Sequence, residues 1–108
     1  MGFFDAGELK QKQMLEGITL SSVSGDNAMM TFFEFEEGAV IPSHSHPHEQ
    51  ITYVLEGELE FSLDGEVRLL GKGQGVVITS GLEHSARVTK GPARALDAWH
   101  PVREDYLI

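Results

Sequence analysis

The chain has 108 residues, enough for one compact domain and little more. Its 17 acidic against 8 basic side chains give −9 at pH 7. That balance argues against nucleic-acid partners, whose backbones are held by basic groups that release counterions. A small anion is not excluded, because one buried Arg can hold a carboxylate whatever the net charge. With no cysteine, disulfides and thiolate metal sites are ruled out. No apolar run nears the roughly 18 residues of a membrane span. The opening MGFFDAGELKQKQ lacks the basic and long apolar parts of a secretory signal, so a cytoplasmic location is expected.

In chain order, residues 4–14 show no clean apolar stripe and are interrupted by Gly7. They carry at most a turn or two of helix, and segment 1–14 is expected to be either irregular or strand-exchanging. From Ile18 onward the composition is that of strands: 18–23, 28–35, 50–55, 58–63, 66–70, 76–78, 85–88 and 93–99, cut apart by regularly placed glycines. The doublets Met29-Met30 and Phe32-Phe33 put one member on each face of their strand. Burial of both faces is expected, one inside a barrel and one against a homodimer partner. Leu59, Phe61 and Leu63 alternate with Glu58, Glu60 and Ser62, the period of a half-buried strand. Asp64-Gly65 then predicts a two-residue hairpin into 66–70. Short strands at this spacing indicate an antiparallel sandwich or barrel. The expected fold is all-β, a single domain over 1–108.

The chemistry concentrates in HSHPHEQ, residues 44–50. His44 and His46 are two residues apart, so on an extended strand they share a face. Pro47 favours that extension in the residue before it. Two imidazoles on one face suit a first-row divalent metal. Gln50 opens the next strand and offers an amide oxygen, either to the metal or to a hydrogen bond beside it. His84 heads another short strand after Gly81. Three imidazoles and an amide would leave the full +2 on the ion, making a strong Lewis acid. His48 and Glu49 fall out of register and are expected at the rim, Glu49 pointing away from Gln50.

These spacings resemble a known family. Gly38, His44, His46, Gln50 and Gly57 follow the first cupin motif, G-x5-H-x-H-x3-4-E-x6-G, with Gln in place of the usual Glu. Gly73, Gly81 and His84 follow the second, G-x5-P-x-G-x2-H-x3-N, with Thr79 for its Pro and Val88 for its Asn. The resemblance implies a small cupin jelly-roll β-barrel with a metal near its mouth. A narrower likeness lies in HSHPHEQITYVLEGELEF and in the ending DAWHPVREDYL, 97–107. Both resemble the pectin-degradation, KdgF-like single-domain cupins, in which Gln commonly takes the Glu position.

That resemblance implies ring opening and ketonisation of 4,5-unsaturated uronates, the acidic monosaccharides released by pectate and alginate lyases. It places one divalent transition metal (Zn, Ni, Mn or Fe) on His44, His46, Gln50 and His84. It assigns substrate-side roles to Asp97, Trp99 and Arg103, with Trp99 standing where the family usually has Phe. The residues accommodate this. Asp97 and Trp99 share a strand face with Ala98 and His100 opposite, Arg103 follows a bend at Pro101, and a guanidinium matches a carboxylate in two parallel bonds. Simpler roles stand beside these: Asp97 as a hydrogen-bonded buried acid, Trp99 as core, and Arg103 paired with Glu104 or Asp105. Two other functions fit the same fold. One is a metal-dependent dioxygenase acting on a small organic acid. The other is a non-catalytic sugar-binding or sensor cupin.

Overall fold

The structure, a computed structural model, describes residues 2–108. Eight strands follow one another: β1 (Lys12–Leu15), β2 (Ile18–Ser24), β3 (Met29–Phe35), β4 (Val40–His44), β5 (Glu49–Leu63), β6 (Glu66–Gly71), β7 (Gly75–Ile78) and β8 (His84–His100). Single 3-10 turns lie at Ala6–Glu8 and Glu104–Tyr106. Every pairing is antiparallel.

Two long strands organise the molecule. β5 and β8 pair from Glu49↔His100 to Leu63↔His84, with the register shifting around Glu56–Leu59. The Trp99 end of β8 also pairs with β3, and its His84 end with β4. β5 likewise pairs with β7 in its first part and β6 in its second. One face is therefore β1-β2-β3-β8-β5-β7 and the other β4-β8-β5-β6, which is the jelly roll expected from the sequence. The Asp64-Gly65 hairpin is also present, both residues having positive φ (48° and 85°), as its turn type requires.

The sequence divided each long strand in two, and the reason is steric. At Gly57 (φ 80°) a Cβ would lie 2.6 Å from the Lys90 carbonyl oxygen and 2.7 Å from the Ala93 Cβ. The glycine marks a sharp bend where β5 crosses β8, not a strand end. The bends also change which residues face inward. In β8 the buried positions run 84, 86, 88 and then 93, 95, 97, 99; in β5 they run 50, 52, 54 and then 59, 61. A bulge shifts the alternation by one, so His84 and Asp97 enter the same interior from opposite ends of one strand.

β1 and β4 were not anticipated. Both are largely exposed and so lack an apolar signature, and β4 contains Pro42, which an edge strand tolerates. Segment 1–14 holds the first turn, capped by Asp5 Oδ1 accepting from Gly7 N at 2.8 Å, and then most of β1, paired to β2 of the same chain. The core is built from Ile18, Leu20, Phe33, Val54, Leu59 and Ile78 with their neighbours. Its polar end carries Thr31, His46, Gln50, Thr52, His84 and Asp97, all buried.

Candidate metal centre

Strand ends bring the three histidines together. His44 ends β4, His84 begins β8, and the two are direct cross-strand partners. His46 lies in the link to β5, and Gln50, second in β5, pairs with Trp99 on one side and Ile78 on the other. One ring nitrogen from each of His44, His46 and His84 lies within 4.8 Å of the others.

Backbone carbonyls fix all three rings. Nδ1 of His44 is 2.8 Å from Pro42 O, Nδ1 of His46 is 3.0 Å from His48 O, and Nδ1 of His84 is 2.9 Å from Leu82 O. A carbonyl only accepts, so each Nδ1 carries the proton and each Nε2 presents a lone pair, the arrangement that orients metal-binding imidazoles. Burial holds His84 at about 4, the Leu82 carbonyl opposing it only in part. Burial also lowers His46. Both rings are therefore neutral and ready to ligate.

Gln50 supplies the test of whether a cation fits. Its amide nitrogen donates to Thr52 Oγ1 at 2.9 Å and to Asp97 Oδ2 at 3.0 Å. Its oxygen, Oε1, lies 3.0 Å from His46 Nε2. With His46 neutral, Nε2 and Oε1 turn lone pairs toward each other at hydrogen-bond distance, an arrangement relieved by a proton on His46 or by a bound cation. His84 Nε2 is buried with no partner. A neutral set of three nitrogens and one oxygen suits a first-row divalent ion. His44, His46, Gln50 and His84 fit a metal.

Beside them lies Asp97, 5% exposed, flanked across the sheet by Thr31 and Thr52. Burial pushes its carboxyl up to about 7, against the Thr52 hydroxyl, the Arg103 guanidinium and the Gln50 amide. Its Oδ1 has no partner. Arg103 is paired with Asp105, one of the two partners that the sequence left open, and still has a free donor. Nε donates to Asp105 Oδ1 at 3.0 Å, while the buried Nη1 is unpartnered. Trp99 is buried core: its indole N–H donates to Thr31 Oγ1 at 2.9 Å, and its ring lies 5.2 Å from His46. These groups line a cavity of about 30 Å³ shared with Tyr106.

Thr31, Thr52 and Tyr106 were not singled out from the sequence. Thr52 was within reach, because it follows Gln50 by two residues and shares its inward face. Glu49 is exposed, as its register implied. His48 lies in the link between β4 and β5, partly exposed, with its carbonyl fixing His46 and its ring 5.6 Å from that of His46.

Residues 31–99 match the cupin domain family, and the chain belongs to that family. Within it, the chain is similar to the pectin degradation protein KdgF of Dickeya dadantii, with 28% identity over 107 residues, 97% of each chain. The solved structure of KdgF from a Halomonas species is 31% identical, covers 99% of both chains and has a TM-score of 0.93. A shorter match of 63 residues, 57% of this chain and 31% of the other, is 41% identical to the dimethylsulfoniopropionate lyase DddQ of Ruegeria pomeroyi. The described residues include no helix long and apolar enough to cross a membrane.

Proposed function

We propose that this cupin is a metal-dependent enzyme that opens and ketonises 4,5-unsaturated uronates from pectin or alginate breakdown. One observation carries the reading. Three buried polar atoms without partners, His84 Nε2, Asp97 Oδ1 and Arg103 Nη1, belong to residues lining one cavity. They suit a metal ion, a transferable proton and a carboxylate. The full-length likeness to KdgF proteins of D. dadantii and Halomonas supports the substrate class.

The reaction is an isomerisation. The C1 hydroxyl of the cyclic hemiacetal loses its proton, the bond from C1 to the ring oxygen breaks, and an aldehyde forms at C1. The former ring oxygen becomes an enol on C5, which ketonises by gaining a proton at C4 and losing one from oxygen. A metal held by His44, His46, Gln50 and His84 would supply Lewis-acid polarisation of a substrate oxygen. Arg103 Nη1 anchors the carboxylate and fixes the sugar's orientation. Asp97 accepts a proton from oxygen and delivers one to C4, and a carboxyl raised to about 7 exchanges protons in both directions near neutrality. Trp99 walls the site and excludes water. Ketonisation removes the double bond conjugated to the carboxylate, so ultraviolet absorbance of an unsaturated galacturonate should fall on addition of enzyme. Unchanged absorbance, with oxygen consumed by a redox-metal form, would instead identify a dioxygenase.

A homodimer is part of this proposal. On the outer face, Val23, Met30, Ala98, Ile51 and Val77 form one row in register across five strands. Phe32, Leu96 and Tyr53 form the next. Neither row contains a charge, although the chain carries −9.

A further inference from the structure

The cavity between the metal ligands and Arg103 is about 30 Å³, room for one or two waters. Pockets that take a whole small ligand are on the order of 300 Å³ or more. A monosaccharide acid seated against Asp97 needs more room than this, which movement of one wall would supply. Most walls are strands locked in ladders. The exception is segment 102–108, which follows β8 and contributes Arg103 and Tyr106. Its backbone hydrogen bonds are internal: Tyr106 N to Arg103 O at 3.0 Å and Leu107 N to Glu104 O at 3.1 Å.

What fastens this segment to the barrel is aromatic packing. Tyr106 meets Phe33 edge-on at 6.0 Å and Trp99 at 5.5 Å between ring centroids. The same ring supports the Arg103 guanidinium, whose Cζ lies 4.0 Å from the Tyr106 centroid and 5.1 Å from that of Trp99. Asp105 grips Nε from the solvent side. One end of the guanidinium is thus held, its face is stacked, and only the far end is left unpaired toward the cavity.

We propose that segment 102–108 is a closure that swings away to admit a carboxylate-bearing sugar and returns with Arg103 on the carboxylate. Tyr106 is its latch, and Asp105 and Tyr106 are positioning residues for Arg103. The substrate part of this inference rests on the uronate reading above; the mobility of the closure does not. Opening gives up the aromatic contacts and the packing of Val102 on the core, but no backbone bonds to the sheet. The closed form completes the wall around the metal ligands.

Hydrogen exchange on the unmodified protein tests the closure without any substrate. The Tyr106 and Leu107 amides should exchange at least about 100-fold faster than those of Thr31 and Asp97 within the sheet. Equal protection would overturn the closure. Kinetics on unsaturated galacturonate tests the positioning roles. Asp105→Asn and Tyr106→Leu should each raise KM about tenfold, the loss of one charge-assisted or stacked contact, with kcat within about threefold of the parent. Tyr106→Phe, which keeps the stack, should recover most of what Tyr106→Leu loses. A fall in kcat at unchanged KM, or no rescue by Phe, would overturn the positioning roles. If the parent protein leaves the uronate untouched, the substrate reading fails, while the exchange rates still decide whether the segment opens.

Discussion

Replacing Asp97 by Asn should stabilise the metal-free protein while abolishing its activity. Asn keeps the shape and an oxygen for the Gln50 amide, but removes a carboxyl that must ionise in a buried site. That carboxyl is raised from 3.8 to about 7, about three units, or roughly 4 kcal/mol at 1.36 kcal/mol per unit. A folded-state value above the unfolded one means that Asp97's contribution is intact below pH 3.8 and lost as pH rises through 7. Asp97→Asn has no such loss, so its advantage should be near zero below pH 4 and approach roughly 4 kcal/mol by pH 8. His84 runs the other way. Lowered from 6.5 to about 4, its contribution is present above pH 6.5 and lost as pH falls through 4, by roughly 3 kcal/mol. In the parent chain the two slopes oppose each other between pH 4 and 6.5; in the variant the His84 slope stands uncompensated. Urea unfolding of chelator-treated protein across pH 4–8 reads both effects. A variant no more stable than the parent at pH 8 would refute the claim that burial dominates at Asp97. The gain would be an instance of stability given up for function.

Gly57→Ala should cost roughly 2 kcal/mol or more, because the residue has φ 80° and its Cβ would meet the Lys90 carbonyl, combining backbone strain with overpacking; urea unfolding checks it. Arg103→Lys keeps the charge but loses the planar fork, so KM for an unsaturated uronate should rise about tenfold or more with metal content unchanged. Ile51→Lys, in the middle of the apolar outer row, should give a monomer in sedimentation experiments, still folded and still binding metal; an unaltered dimer would move the interface elsewhere.

The proposed metal ligands were the most legible part of the site. Period-2 register alone put His44 and His46 on one face, the cupin-motif resemblance added Gln50 and His84, and the structure places these residues together. Asp97 was ambiguous for a physical reason. Its inward orientation beside His84 depends on the bulge between residues 88 and 93, which shifts the alternation along β8, and nothing local announces that shift. Gly57 was visible as a glycine, but not as a bend inside one continuous strand. β1 and β4 were invisible because exposed edge strands carry no hydrophobic period. Arg103's two partners, an acid on one side and a cavity on the other, follow only from how segment 102–108 folds back over Trp99.

The most direct test is one titration. Metal-free protein would be given Zn, Ni, Mn or Fe(II), with binding followed by calorimetry and the absorbance of unsaturated galacturonate followed in parallel. One equivalent of metal should bind per chain, His84→Ala should weaken that binding at least about 100-fold, and absorbance loss should appear in proportion to occupancy. Full absorbance loss without metal, or a chain that neither binds metal nor alters the uronate, would contradict the proposed metal-dependent function.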